Sequence, residues 1–211
     1  YVSDTRKSLG ELARAWRQQF SIPLVVVTGS NGKTTVKEMI ASIFREAAGS
    51  SHTLVTEGNF NNDIGLPLTL LKLRPDHRLA VIELGMNHPG ETSELAEIAL
   101  PTITLINNAQ REHQEFMKSV EAVAVEHADA LKALPVDGLG VFQGNTPFSE
   151  LWKKTCGTKN YLTFIWTQNR NEQKAVIEPN VVQGFQLPDG ALQIRTIRGD
   201  IQIRLNTLGE H

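Results

Sequence analysis

The residues with the clearest capacity for chemistry lie in one short stretch, TGSNGKTT, at residues 28–35. Its two glycines allow a tight turn in which backbone N–H groups converge on one point, and the positive end of a following helix points to the same place. Lys33 adds a compact cation, and the Thr34 hydroxyl can ligate Mg²⁺. The stretch therefore predicts a loop that binds a polyphosphate. The alternative is an ordinary strand-to-helix turn with a surface lysine.

The loop departs from the usual phosphate-binding pattern at one position. That pattern, G-x-x-x-x-G-K-[ST], has a glycine where this chain has Val27. Val27 closes the apolar run LVVV, which is typical of a buried strand. Without the earlier glycine, TGSNGKTT resembles the loop of the Mur ligase superfamily, a group of ATP-dependent amide-forming enzymes of peptidoglycan and folate metabolism.

Three further segments resemble motifs of this superfamily, in the same order along the chain. They are EGNFNNDIGLPLTLL at 57–71, VIELGMNHPGE at 81–91 and TLINNAQREHQEF at 104–116. The last residues, LNTLGEH at 205–211, resemble the start of a segment that lies at the junction with a carboxy-terminal domain and helps to hold adenine. The resemblance covers residues 24–134 by motif and the rest of the chain by architecture.

The asparagine-rich segment and the strand after it are predicted to contact substrate and cation. Asn59, Asn61 and Asn62 carry amide groups, which suit a site that meets phosphate oxygens and substrate carbonyls. They could instead cap the helix that follows. Glu83 ends a buried strand, and the resemblance implies that it binds Mg²⁺ opposite Thr34. The alternative for this glutamate is a structural ion pair with a nearby base.

Three histidines belong to the same group of candidates. The resemblance places His88 near the substrate, although it could equally be a solvated loop residue. It also implies that His113 binds a second metal ion, while Asn107 and Asn108 brace the phosphate or metal shell. In many members a carbamylated lysine shares that second metal. This chain has His127 at that position. Either it lacks the carbamate, with His127 a plain histidine on a helix surface, or His127 or Glu126 replaces the lysine as a ligand, directly or, as imidazole favours, through water.

The predicted site combines residues with four roles. The predicted catalytic residues are Lys33, Glu83 and His113. The predicted nucleotide-binding residues are Thr28, Gly29, Ser30, Asn31, Gly32, Lys33, Thr34, Thr35, Asn107 and Asn108. The predicted substrate-binding residues are Asn59, Asn61, Asn62 and His88, and the predicted metal ligands are Thr34, Glu83, His113 and His127. Thr35 is included although it could instead pack against or cap the helix.

The elements that position these residues are predicted from two alternating sequence patterns. Short apolar runs indicate strands, and the segments between them have the periodicity of amphipathic helices. They predict an α/β fold with a mostly parallel P-loop-type sheet and helices on both faces. Later, period-two alternation with turn signals predicts an antiparallel β meander near the C-terminus. Helices are predicted at 8–20, 34–48, 63–73 and 117–134. A single central domain, 1–211, is expected to contain an initial helical segment (1–20), an α/β core (21–172) and the antiparallel extension (173–211).

The composition limits the kind of protein. A chain of 211 residues with 40% hydrophobic and 21% charged residues suits one soluble domain. A net charge of −2 gives no reason to expect a nucleic-acid partner, and no apolar run reaches the ~18 residues of a membrane span. Its single cysteine excludes an internal disulfide. We expect a cytoplasmic monomer without a membrane span.

The resemblance also implies an activity. ATP would phosphorylate a substrate carboxylate in the presence of Mg²⁺, and an amine would then displace phosphate from the acyl phosphate. The segments GNFNND and ELGMNH resemble the branch that adds D-Ala-D-Ala to UDP-MurNAc-tripeptide. Because the chain begins at Tyr1 rather than methionine, we expect a piece of a longer protein. The resemblance implies a three-domain enzyme, so we expect this piece to lack the N-terminal UDP-binding domain and the C-terminal domain and to be unable to ligate alone. The alternatives are a sister ligase such as folylpolyglutamate synthase, a small-molecule kinase, or a non-catalytic nucleotide-binding module.

Overall fold

A computed structural model of the chain describes residues 1–111, 116–167 and 178–204. In these ranges six α-helices and nine strands alternate along most of the chain. The helices are α1 (Thr5–Arg17), α2 (Lys33–Ala48), α3 (Gly65–Leu70), α4 (Glu91–Ala99), α5 (Val120–Lys132) and α6 (Ser149–Cys156), with a 3-10 turn at Ser50–His52. The strands are β1 (Leu24–Thr28), β2 (Thr53–Val55), β3 (Leu79–Glu83), β4 (Ile103–Ile106), β5 (Leu139–Gln143), β6 (Asn160–Trp166), β7 (Val181–Gln186), β8 (Leu192–Thr196) and β9 (Gly199–Ile203).

All nine strands form one sheet with the order β2-β3-β1-β4-β5-β6-β7-β8-β9. Strands β1 to β7 pair in parallel, and the last two pairings are antiparallel. This confirms the predicted mostly parallel fold with an antiparallel meander. Because β1 lies between β3 and β4, the loops that follow these three strands meet at one edge of the sheet. Strands β2 and β3 lie on one side of β1, and β4 lies on the other side. Open α/β sheets bind ligands at such a point, where the strand order reverses.

The core explains why β1 is a continuous apolar run. Alternate residues of a strand face opposite sides of a sheet. Leu24 and Val26 pack in a cluster with residues of α1, α3 and α4, whereas Val25 and Val27 pack with Ala41 of α2. Helices therefore cover both faces of the sheet, as predicted, and both faces of β1 are buried.

Three elements differ in detail from the predictions. The first helix covers Thr5–Arg17 rather than 8–20, because the Asp4 side chain accepts hydrogen bonds from the first-turn N–H groups. Helix α3 covers Gly65–Leu70 and is shorter than the predicted 63–73. Turn-type hydrogen bonds from the N–H groups of Lys72 and Leu73 to carbonyl oxygens three residues earlier follow it. The meander is part of the main sheet, because β7 pairs in parallel with β6. The predicted boundary at 173 lies outside the described residues.

In the described part of the chain, no helix combines the length and the apolar character that crossing a bilayer requires.

Candidate functional site

The phosphate-type loop between β1 and α2 depends on two glycines with left-handed backbone conformations. Gly29 has φ of 133° and Gly32, which precedes the first residue of α2, has φ of 74°. A Cβ atom on Gly29 would lie 3.0 Å from the backbone N and O of Asn108, and one on Gly32 would lie 3.0 Å from the side-chain nitrogen of Asn107. A side chain at Gly29 would thus be both strained and crowded by backbone.

Two asparagines after β4 hold the loop from the neighbouring strand. The side-chain nitrogens of Asn107 and Asn108 both donate to the carbonyl oxygen of Asn31, at 2.7 and 3.0 Å. The Asn31 N–H donates in turn to Asn108 Oδ1 at 3.0 Å, and the Ser30 N–H donates to the Asn108 carbonyl oxygen at 3.2 Å. The structure therefore brings the predicted bracing residues against the loop.

The lysine of the loop folds back over it. Lys33 Nζ donates to the carbonyl oxygens of Gly29 and Ser30. Thr28, at the end of β1, is fully buried, whereas Thr34 and Thr35 are exposed at the start of α2. The ammonium group is therefore held against the loop backbone, and its contact with a phosphate stays a prediction.

Glu83 lies at the carboxyl end of β3 with only 2% of its surface exposed. The Thr34 hydroxyl donates to Oε2 at 2.9 Å, and the Asn61 side-chain nitrogen donates to Oε1 at 2.8 Å. The Glu83 N–H donates to the Thr56 hydroxyl at 3.0 Å. These contacts fix both the backbone and the carboxylate of Glu83, so that three side chains from three segments meet at this point.

This group of side chains fits a magnesium ion. Mg²⁺ prefers oxygen ligands, keeps several waters, and is usually held by one or two carboxylates together with substrate phosphates. Thr34 and Glu83 provide a hydroxyl and a carboxylate beside a phosphate-type loop. In the described ranges no group of three His, Cys, Asp or Glu side chains could hold a metal, so a ligand set of the zinc type is absent from that part of the chain.

The three predicted substrate-binding asparagines have different surroundings. Asn61 is held by Glu83 and by the Gly85 N–H, which donates to its carbonyl oxygen at 2.7 Å. The Asn62 side chain accepts from the N–H groups at the start of α3, at 2.8 and 3.2 Å, which is the capping alternative. Asn59 is exposed. Contact with a substrate stays a prediction for all three.

His88 lies in an exposed cluster before α4. Its Nδ1 is 2.9 Å from Glu91 Oε1, and its ring centroid is 4.4 Å from that of Phe116. Glu91 also accepts from the N–H groups of Asn87 and His88. Partial burial raises the pKa of Glu91, but these hydrogen bonds outweigh it and hold the pKa below its usual value. The imidazole is oriented by the carboxylate, and its role toward a substrate stays a prediction.

His127 is a fully buried residue of α5, not a histidine on a helix surface. Its Nδ1 lies 3.0 Å from the hydroxyl of Thr28, which joins α5 to the last residue of β1. The neighbouring Glu126 accepts from the N–H groups of Gly90 and Thr92 at the start of α4. Glu126 therefore caps α4. Metal ligation by His127 stays a prediction, and the predicted ligand His113 lies outside the described residues, as does the segment 205–211.

Sequence reasoning missed two residues that support the site, Lys37 and Thr56, both of which are fully buried. Lys37 lies one helical turn after Thr34 on α2, on the same side of the helix. The periodicity of α2 could have indicated this, since Ala41, four residues further on, faces the core.

Comparison with known proteins assigns the domain type. The family model described as the Mur ligase middle domain matches residues 27–211. The UDP-N-acetylmuramoyl-tripeptide--D-alanyl-D-alanine ligase of Haemophilus influenzae is 38% identical over 211 residues, which is 100% of this chain and 44% of that protein. The Escherichia coli protein of the same name is 40% identical over 163 residues, covering 77% of this chain and 35% of its own length.

Solved structures agree with this assignment. MurF from Acinetobacter baumannii has a TM-score of 0.86 and 30% identity over 99% of this chain and 44% of its own. MurF ligase from Thermotoga maritima, solved in complex with ADP, has a TM-score of 0.77 and 24% identity over 96% of this chain and 44% of its own. At that identity the second match supports the fold alone. The chain spans less than half the length of these relatives.

Proposed function

Because the chain belongs to the Mur ligase middle domain family, we propose that it is the ATP-binding domain of a ligase that joins D-Ala-D-Ala to UDP-MurNAc-tripeptide. The observation that carries the proposal is the contact of Glu83 with Thr34 and Asn61 beside the phosphate-type loop. The substrates follow from the names of the relatives and rest on them.

The residues of the loop would bind and orient ATP. Gly29 and Gly32 allow close approach of the backbone, Lys33 offers its charge, and the asparagines keep the loop in shape. Thr34 and Glu83 would hold Mg²⁺, which supplies charge neutralisation on the phosphates when bound. The γ-phosphoryl group would pass to the substrate carboxylate, giving ADP and an acyl phosphate. The amine of D-Ala-D-Ala would then attack the acyl carbon and release phosphate.

We further propose that this chain is the central domain of a longer enzyme. Its relatives are more than twice as long, with 44% of the Haemophilus influenzae protein matched. The binding of the UDP-sugar and of the amine would then depend on other domains, whose closure excludes water and aligns the substrates. A monomeric, cytoplasmic enzyme without a nucleic-acid partner remains our prediction.

Calorimetric titration of Mg·ATP into the chain tests the first part of the proposal. We expect binding by the unmodified chain, a loss of at least tenfold in affinity for Lys33→Ala, and no change for Lys154→Ala, which removes an exposed lysine of α6. Binding that survives Lys33→Ala unchanged would contradict a phosphate-binding role of the loop. Substrate trials with the longer enzyme would separate the proposed ligase from a folylpolyglutamate synthase and from a non-catalytic module.

A further inference from the structure

Lys37 is a fully buried lysine on the helix that follows the phosphate-type loop. Only 1% of its side chain is exposed. Lysine is almost never fully buried unless it is paired, because an ammonium group loses its hydration in the protein interior. The contacts that replace this hydration therefore indicate what the residue does.

Most of these contacts are to one short segment of backbone. Lys37 Nζ donates to the carbonyl oxygen of Thr56 at 2.8 Å and to that of Gly58 at 3.5 Å. It also lies 3.0 Å from a carboxylate oxygen of Glu38, whose side chain is 50% exposed. The segment 56–58 leaves the sheet after β2 and leads into the asparagine-rich loop. The buried charge thus joins α2 to the beginning of that loop.

The same segment is connected to Glu83 at two places. The Thr56 hydroxyl accepts from the Glu83 N–H at 3.0 Å, and Asn61 donates to the Glu83 carboxylate at 2.8 Å. Between these two contacts, Gly58 has a left-handed φ of 53° and open space around it. Gly58, whose carbonyl oxygen Lys37 holds, therefore has no packed neighbour where a side chain would lie.

We propose that Lys37 is a positioning residue, whose buried ammonium group anchors the segment 56–61 to α2 and so keeps the Asn61 amide on the Glu83 carboxylate. The alternative is that Lys37 only stabilises the fold. The two differ in what happens to Asn61 when Lys37 is replaced, because general stabilisation does not require the amide to move in the folded protein.

The first test is an NMR measurement on the side-chain amide of Asn61 in the 211-residue chain. The signal is assigned by its loss in Asn61→Ala. We expect a hydrogen-bonded, slowly exchanging amide in the unmodified chain, and the shift and fast exchange of a free amide in Lys37→Met. Lys72→Met is the matched control, because Lys72 contacts the same segment through an exposed ion pair with Glu57, at 3.0 Å. Its Asn61 signal should be unchanged.

Folding of the variants is checked first by circular dichroism. If Lys37→Met does not fold, the measurement is made on Lys37→Gln, which keeps a neutral donor and should weaken the Asn61 contact in part. An Asn61 signal that is identical in the folded Lys37 variant and in the unmodified chain would overturn the proposal, even if the variant melts at a lower temperature.

A second test concerns the cation and rests on the proposed function. Removing a residue that orients a metal ligand typically weakens metal binding by about 10- to 100-fold. We expect Asn61→Ala to raise the half-saturating Mg²⁺ concentration in nucleotide titrations by about tenfold. Lys37→Met should also raise this concentration. The double variant should be no worse than the stronger single one, because both changes remove the same contact.

The outcomes of the two tests are separable. Additive effects of Lys37→Met and Asn61→Ala on the Mg²⁺ requirement would contradict the anchoring role. Absence of any nucleotide binding by the unmodified chain would instead count against the proposed function, and the amide signal of Asn61 would still decide the role of Lys37.

Discussion

At the scale of single residues, the shape of the loop depends on asparagine side chains that donate hydrogen bonds to its backbone and on a glycine position that has no room for a side chain. Asn107 and Asn108 hold the loop through the carbonyl oxygen of Asn31, whereas Gly29 leaves the space in which Asn108 lies. A glycine and an asparagine in the loops after two neighbouring strands are thus complementary in shape as well as in hydrogen bonding.

This complementarity predicts the effect of Gly29→Ala. The new methyl group would meet the backbone of Asn108 at 3.0 Å in a left-handed conformation, so the loop must shift. We expect Mg·ATP affinity to fall at least tenfold, measured by calorimetry. Gly190→Ala is the control, since Gly190 has φ of 83° but nothing within 4 Å. Equal losses of affinity in both variants would contradict a local effect at the loop.

Cys156 predicts a dependence of stability on alkaline pH. Burial raises the pKa of its thiol to about 11 from about 9. Since the folded-state pKa is the higher one, the stabilisation is complete below pH 9 and is lost as pH rises toward 11. Between pH 8 and 10.5 we expect Cys156 to account for about 2 kcal/mol of lost unfolding free energy.

Urea denaturation at the two pH values measures this contribution. Cys156→Ala serves as the reference, because it keeps every other titrating group. Its unfolding free energy should fall by less than that of the unmodified chain over the same interval, and equal falls would contradict the prediction. The native thiol should also resist a thiol reagent at pH 8.

At the scale of elements, a side chain of one helix caps the N-terminus of another. Glu126 of α5 accepts from Gly90 and Thr92, and so satisfies N–H groups at the start of α4 that have no partner within the helix. The carboxylate also complements the positive end of the helix dipole. In this way α5 positions the segment that carries His88.

Glu126→Ala should therefore destabilise the fold. Loss of a capping group and of buried hydrogen bonds is expected to lower the unfolding free energy by about 2 kcal/mol. Chemical denaturation measures the change. Glu97→Ala is the matched control, because Glu97 is an exposed acidic residue in the last turn of α4, where its removal is neutral or slightly stabilising. Similar losses in both variants would show that Glu126 does not act as a cap.

Much of this arrangement could be predicted from the sequence, and the reasons for the rest are physical. Buried parallel strands appear as apolar runs such as LVVV, and the loop as a glycine-lysine pattern between strand and helix. The burial of His127 could not be predicted, because α5 is covered on most sides and its periodicity is weak as a result. The parallel pairing of β7 with β6 could not be predicted either, because period-two alternation indicates a strand but not its neighbour.

At the scale of the whole molecule, we propose that other domains of a longer enzyme bind the UDP-sugar and the amine substrate, since this chain matches only 44% of the Haemophilus influenzae protein. We predict that the 211-residue chain forms no ligation product from UDP-MurNAc-tripeptide and D-Ala-D-Ala, whereas the longer enzyme does. Phosphate release and chromatographic detection of the product measure this, with Lys33→Ala of the longer enzyme as the inactive control. Product formation by the isolated chain would contradict the proposed dependence on other domains.

The contacts that shape the loop can form only after distant parts of the chain have been synthesised. They join residues that are far apart in sequence: 76 positions between Asn107 and Asn31, and 99 between His127 and Thr28. A chain that emerges from the ribosome at about 5–20 residues per second produces the loop roughly 5–20 s before α5. The loop is thus synthesised well before the residues after β4 and in α5 that complete its shape. A nascent chain that ends before β4 holds the phosphate motif in its sequence but lacks the asparagines that give the motif its shape.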